Sequence, residues 1–204
     1  MTNNNKDIVL IGDSIFDNQP YVGEGESVIS QLKGLLADKA DAHLLALDGA
    51  INTDIPAQLE ALKRLGADNK KVFMSISGND FLRYRMELET AIRTGVHPFV
   101  ALDEIKQRYQ ATYAKTLKQV MAVCDDLTVC TVYNQVPGLT VAEQIPLGVL
   151  NEVLLQQAMA NDLPILDLRT LCDSKADYAP VSPIEPSKFG AYKIAKAITA
   201  MAGY

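Results

Sequence analysis

The sequence predicts an α/β fold, a three-layer α/β/α sandwich around a five-stranded parallel sheet. Two observations carry that prediction. Five short runs rich in Val, Ile and Leu alternate with helical stripes along the whole 204-residue chain. The runs are apolar on both faces, as strands covered by helices on each side must be. No linker, repeat or low-complexity stretch interrupts them, so residues 1–204 read as one domain.

The strand-like runs lie at residues 7–11, 43–47, 71–77, 127–133 and 164–168. After the first, Val28, Leu32, Leu35 and Leu36 recur at helical spacing, and Gly34 costs that helix roughly 1 kcal/mol. Ile55, Leu59 and Leu62 mark a second helix, with Thr53 or Asp54 as its N-cap. Between the third run and the next stripe, residues 81–100 read as a long insertion suited to a lid. Leu102, Ile105, Tyr109, Tyr113, Leu117 and Val120 form the third stripe, and Ile145, Val149 and Val153 the fourth. The last helix starts after Pro186-Ser187, turns Ile194, Ile198 and Met201 to one side, and stops at Gly203.

Composition narrows the function classes. The net charge of −6 argues against nucleic acid and anionic membrane surfaces as partners, since both call for a basic patch. No apolar run approaches the ~20 residues of a membrane span, so integral membrane association is not expected. The opening residues 1–7 lack the pattern of a secretory signal peptide. Cys124, Cys130 and Cys172 are odd in number and lack Cys-x-x-Cys spacing, so free buried thiols and a cytoplasmic location are expected. With only His43 and His97 added, metal ligands are scarce and no metal is expected.

In a parallel sheet the site lies beyond the carboxyl ends of the strands, so the residues leaving each run matter most. Gly12-Asp13-Ser14 leaves the first. A serine on such a turn holds its hydroxyl out for attack while its own N–H faces the oxyanion that results. The alternative is an ordinary turn in which Gly permits the bend and Asp or Ser caps it. Asp48-Gly49-Ala50 leaves the second, where Gly49 lets a substrate oxygen approach a backbone N–H. Gly78-Asn79-Asp80 leaves the third, and the Asn79 amide offers uncharged donors to a developing oxyanion. Asp13, Asp17 and Asp80 flank these positions and are assigned to substrate binding, with the ordering of turns as the competing role.

Taken in order, these blocks resemble the SGNH, or GDSL-type, family of serine esterases and lipases. Gly12-Asp13-Ser14, Gly49 and Gly78-Asn79-Asp80 correspond to its first three motifs, and Pro186 to Ala195 resembles its closing loop and helix. The resemblance spans Gly12 to about Ala197. It implies a flavodoxin-like sheet, Ser14 as nucleophile, and an oxyanion hole of the Ser14 N–H, the Gly49 N–H and the Asn79 side chain. Esters and thioesters of lipids, sugars and small acids are the family's substrates, so a small-molecule ester is the expected partner and no cofactor is implied. Oligomeric state is left open.

One block departs from the pattern. The family closes with Asp-x-x-His, whereas this chain reads Ser182-Pro183-Ile184-Glu185. Glu185 stands where the base should be, and Ser182 where its orienting partner should be. An ordinary Glu falls ~2.2 pH units below an ordinary His as a proton acceptor, about 3 kcal/mol of driving force. Burial would raise the Glu pKa, and the start of the last helix would lower it. His43 reads as a strand histidine in the core, and His97 as a surface-loop residue. Arg83 and Arg85 read as a solvated helix face paired with Glu87 and Glu89, and Tyr133-Asn134 as pocket lining or turn. The expected function is therefore an ester hydrolase with Ser14, Gly49, Asn79 and Glu185 as its machinery. Two other readings remain: an inactive relative that binds an ester, carboxylate or small oxyanion, and a flavin or phosphoacceptor protein on the same fold.

Overall fold

The computed structural model describes residues 6–204, so the opening residues 1–5, part of the stretch expected to carry no signal peptide, lie outside the described residues. Its strands and helices run in the order β1 (Asp7–Gly12), α1 (Val28–Leu36), β2 (Ala42–Leu44), α2 (Ile55–Leu65), β3 (Lys70–Ser75), α3 (Gly78–Arg93), α4 (Pro98–Met121), β4 (Leu127–Cys130) and α5 (Val141–Ala160). They continue with β5 (Ile165–Leu166), α6 (Leu168–Leu171), β6 (Tyr178–Ala179), β7 (Ser182–Pro186) and α7 (Lys188–Ala202).

Five strands form one parallel sheet in the order β2-β1-β3-β4-β5, while β6 and β7 make a separate antiparallel pair. Val9 registers with Val72 and His43, placing β1 between β3 and β2. The alternation of a strand divides the core in two. Val9, Ile11, Val72 and Met74 face one layer with Ile55, Leu59, Tyr109 and Leu150. Ile8, Leu10 and Phe73 face the other with Leu32, Leu36, Ile194 and Ile198. The result is the predicted three-layer α/β/α sandwich. The strand order reverses between β1 and β3, the crevice where such sheets bind ligands.

β2, β3, β4 and β5 end two or three residues before their apolar runs do, whereas β1 runs one residue past its own, to Gly12. Near Gly12 the buried Gln58 of α2 stands in for a further strand. Its Oε1 accepts from the Gly12 N–H at 2.7 Å, and its Nε2 donates to the Gly12 carbonyl at 2.8 Å. Asn151 of α5 clasps Val132 in the same way at 2.9 and 2.8 Å, so β4 stops at Cys130 rather than 133. In β2, Leu45 and Ala46 both donate to the Leu10 carbonyl, a bulge that ends regular pairing before 47.

Two further expectations are corrected. The segment expected as an insertion at 81–100 is mostly α3, which starts directly after β3 at Gly78. Only Asp80 and Phe81 of this helix are fully buried, while Leu82, Tyr84 and Leu88 pack half-buried against the core. On α5 the buried face is Leu147, Leu150, Asn151, Val153, Leu154 and Ala158, while Ile145 is exposed. That helix carries apolar residues on several faces, which makes an i, i+4 pattern degenerate. α2 is preceded by a 3₁₀ turn at Asn52–Asp54, and the Asp54 carboxylate accepts from the Ile51 N–H instead of capping α2.

Candidate active site

Gly12 sets the course of the chain out of β1. Its φ is +127°, and a Cβ there would lie 1.7 Å from the Ser75 carbonyl oxygen. Only glycine fits this approach of β1 to β3. The Asp13 N–H then donates to Ser75 O, and the amides of Phe16 and Asp17 donate back to Asp13 O, winding 13–17 into one turn. Ser14 sits on that turn, mostly buried. The Asp13 carboxylate accepts from the Ile15 N–H at 3.1 Å and the Gly78 N–H at 3.3 Å, tying the exits of β1 and β3 together. Burial pushes its pKa up to about 8, with Glu185 and Asp80 adding to the rise.

Asn79 occupies the first turn of α3. One N–H of its side-chain amide donates to the Ala50 carbonyl at 3.0 Å. That bond ties α3 to the loop carrying Gly49, which is exposed and has φ +77°. Behind Asn79 lies a buried polar cluster. Ser77, with φ +105°, places its hydroxyl 2.8 Å from the Tyr109 hydroxyl and 3.1 Å from Asn52 Nδ2. Asp80 accepts from the Asn52 backbone at 3.1 Å and from its side chain at 3.0 Å.

Glu185 reaches the site from β7, and its backbone is held on both sides. The Tyr133 hydroxyl donates to the Ile184 carbonyl, and Asn18 Nδ2 donates to the Pro186 carbonyl at 2.9 Å. Asn18 is itself fixed, since its Oδ1 accepts from the Val28 N–H at 2.9 Å. Glu185 is 3% exposed, and among the described residues its Oε2 has no hydrogen-bond partner. Burial raises its pKa to about 7 despite a hydrogen bond from Ser14 that lowers it, and Asp48 and Asp17 add to the rise. Desolvation is the largest of these influences.

Ser14, Asn79, Glu185 and Asp13 line one cavity of ≈ 230 Å³. The remaining assigned residues stand outside its lining. Asp17 accepts from the Asp48 N–H at 2.9 Å, and the Tyr21 hydroxyl donates to Asp48 at 2.6 Å. Asp80 serves the Asn52 cluster, and Gly49 borders the loop next to Asn79. Neither histidine lines the cavity. His43 Nε2 lies 3.8 Å from Asp7 and 4.0 Å from Asp41, beside the opposite end of β1 from Ser14. His97 caps α4, its Nδ1 accepting from the Phe99 N–H at 3.3 Å. Arg85 lines the cavity and pairs with Glu89 at 3.0 Å and Glu143 at 2.8 Å. Among the described residues, no group of three or more His, Cys, Asp or Glu is arranged to hold a metal ion.

Asn18, Gln58, Ser77 and Tyr109 carry the support of the site, and no short motif marks them. Their partners lie 10 to 168 positions away in the chain, so only the fold reveals the roles.

No protein-family model matches the chain, and neither does any curated protein. Solved structures do. An acetyl xylan esterase variant from Geobacillus stearothermophilus is 19% identical, with a TM-score of 0.68 over 98% of this chain and 95% of that one. A member of the lipolytic G-D-S-L family from Veillonella parvula is 14% identical, with a TM-score of 0.70 over 95% and 96%. An alpha/beta hydrolase enzyme from the metagenome of Lake Arreo, Spain, is 20% identical, with a TM-score of 0.71 over 97% and 95%. The chain has the α/β/α fold of the SGNH, or GDSL-type, hydrolases.

Proposed function

We propose that the protein is a serine-dependent hydrolase of small carboxylic esters in which Glu185 takes the place of the usual histidine base. The observation that carries this reading is the Glu185 carboxyl, buried beside Ser14 in a shared cavity with a pKa of about 7. A general base works best when its pKa lies near the working pH. At about 7, Glu185 accepts a proton as readily as an ordinary histidine near ~6.5.

The reaction then proceeds in two halves. Ser14 Oγ attacks the ester carbonyl carbon as its proton passes to the Glu185 carboxylate. The carbonyl π electrons move to oxygen, where the N–H groups of Ser14 and Gly49 and the free N–H of Asn79 receive the charge. A donor of this kind contributes ~3–4 kcal/mol to such a step. The intermediate collapses, the C–O bond to the alcohol breaks, and Glu185 returns its proton to the departing alkoxide. Water repeats the sequence with Glu185 again as base, releasing the acid and restoring Ser14.

The three cysteines are free and buried, which fits a protein of the reducing cytoplasm. The function is tested by hydrolysis of a p-nitrophenyl ester by wild type, Ser14→Ala, Glu185→Gln and Glu185→His. Wild-type turnover is expected to vanish with Ser14→Ala and to fall at least about 100-fold with Glu185→Gln. Equal rates for wild type and Ser14→Ala would overturn the reading.

A further inference from the structure

The ≈ 230 Å³ cavity has two unlike ends. Ser14, Asn79 and Glu185 form the polar one. The rest is walled by Phe81 and Leu82 of α3, Val132, Val136 and Leu139 of the loop between β4 and α5, and Leu147 of α5. Phe81, Val132 and Leu147 are buried, so this wall belongs to the packed core. A dry apolar cavity of ~150 Å³ accepts the six carbons of benzene, so this one holds roughly nine heavy atoms, scissile ester included.

Arg85 is the cation on that wall, and its charge is already answered by two carboxylates, Glu89 and Glu143. An anionic acyl terminus would enter a space already balanced and lose its hydration there. Beyond the lining, Asp17 and Asp48 place negative charge near enough to act on Glu185.

Only one part of an ester must remain beside Ser14 between the two half-reactions. The alcohol leaves after the first, while the acyl group stays bonded to Oγ. From this, and resting on the serine-hydrolase reading above, we infer that the cavity is an acyl subsite for an uncharged linear chain of roughly six to eight carbons. The alcohol then meets the acidic flank and is neutral or cationic. Acetyl and ω-carboxyl acyl groups are poor substrates, the first because it leaves the apolar wall unfilled.

Ethyl octanoate and octyl acetate are isomers that differ only in which side of the ester carries the long chain. Titrimetric hydrolysis of both, with ethyl hydrogen suberate as the ω-carboxyl analogue, separates the acyl subsite from non-specific partitioning. Ethyl octanoate is expected to exceed octyl acetate in kcat/KM by at least about 100-fold, since each buried methylene is worth a factor of about four. It should exceed the suberate by at least about 30-fold. Val136→Trp, which fills the cavity, is expected to lower the octanoate-to-acetate ratio at least about tenfold. The ratio is taken on one protein, so a partial loss of folding cancels.

Octyl acetate cleaved as well as ethyl octanoate would overturn the subsite while leaving the serine hydrolase standing. Absence of Ser14-dependent turnover on every ester would instead overturn the hydrolase. Calorimetry with octanamide and acetamide on Ser14→Ala then decides the cavity. Octanamide binding at least about 100-fold tighter supports the acyl subsite, and equal binding overturns it.

Discussion

With Glu185 as the proposed base, a single carboxyl group couples activity and stability to pH in opposite directions. The ionised form would accept the Ser14 proton, so kcat/KM should rise through about pH 7 and level off above it. A pH–rate profile checks this, and Glu185→Gln should abolish the rising limb. Stability runs the other way. The folded pKa of about 7 lies above the ordinary 4.5, so the folded state holds the proton more tightly than the unfolded chain does. That contribution is fully present below pH 4.5 and is lost as pH rises through about 7. At pH 8 the wild type therefore carries a buried charge that Glu185→Gln does not. Urea unfolding should show Glu185→Gln more stable by roughly 2–3 kcal/mol at pH 8, with the gap closing towards pH 4.5. Gly12 is the other residue with little freedom. Gly12→Ala drives a methyl group to 1.7 Å from Ser75 O, and should cost more than about 3 kcal/mol or abolish soluble expression.

Strand ends, rather than strand centres, show how much an element depends on its neighbours. Asn151 supplies both the acceptor and the donor that Val132 needs, in a buried position. Asn151→Leu preserves most of the volume but strands one N–H and one C=O. Each unpaired buried group costs ~1–3 kcal/mol, so thermal and urea unfolding should place the loss near 2–4 kcal/mol. Val132 also walls the cavity, so this variant should weaken ester turnover along with stability. The same dependence explains what was legible. All five sheet strands were readable from apolar runs, yet β2, β3 and β4 stop two or three residues early. A bulge at Leu45, the left-handed Ser77 before α3 and the Asn151 clasp stand at those ends, and the clasp comes from a helix far along the chain. α3 is harder to read because its apolar residues Phe81, Leu82, Tyr84 and Leu88 are interleaved with charged ones and only Phe81 of them is fully buried.

Across the whole molecule the candidate site sits where the strand order reverses, and Ser14 and Asn79 could be singled out in the sequence because each follows a strand bordering that crevice. Asn18 and Tyr133 could not be given their roles, because clamping β7 requires knowing that residue 186 returns beside residue 18. This long-range closure packs the β6–β7 pair against the segment that follows β1. The expectation of one domain over 1–204 then has a direct consequence for the three thiols. Cys124 belongs to the core layer under α4 and α5, whereas Cys130 and Cys172 belong to the layer under α1 and α7. All three are buried and free, and burial pushes the Cys124 and Cys172 thiols up to about 12 and Cys130 higher still. A thiol reagent can reach them only through opening of the fold. If both layers unfold together, all three should label with one rate and one urea dependence, read by mass spectrometry of the digested protein. Earlier labelling of Cys172 would show instead that the segment bearing β7 and Glu185 opens alone, dividing the chain into two cooperative units.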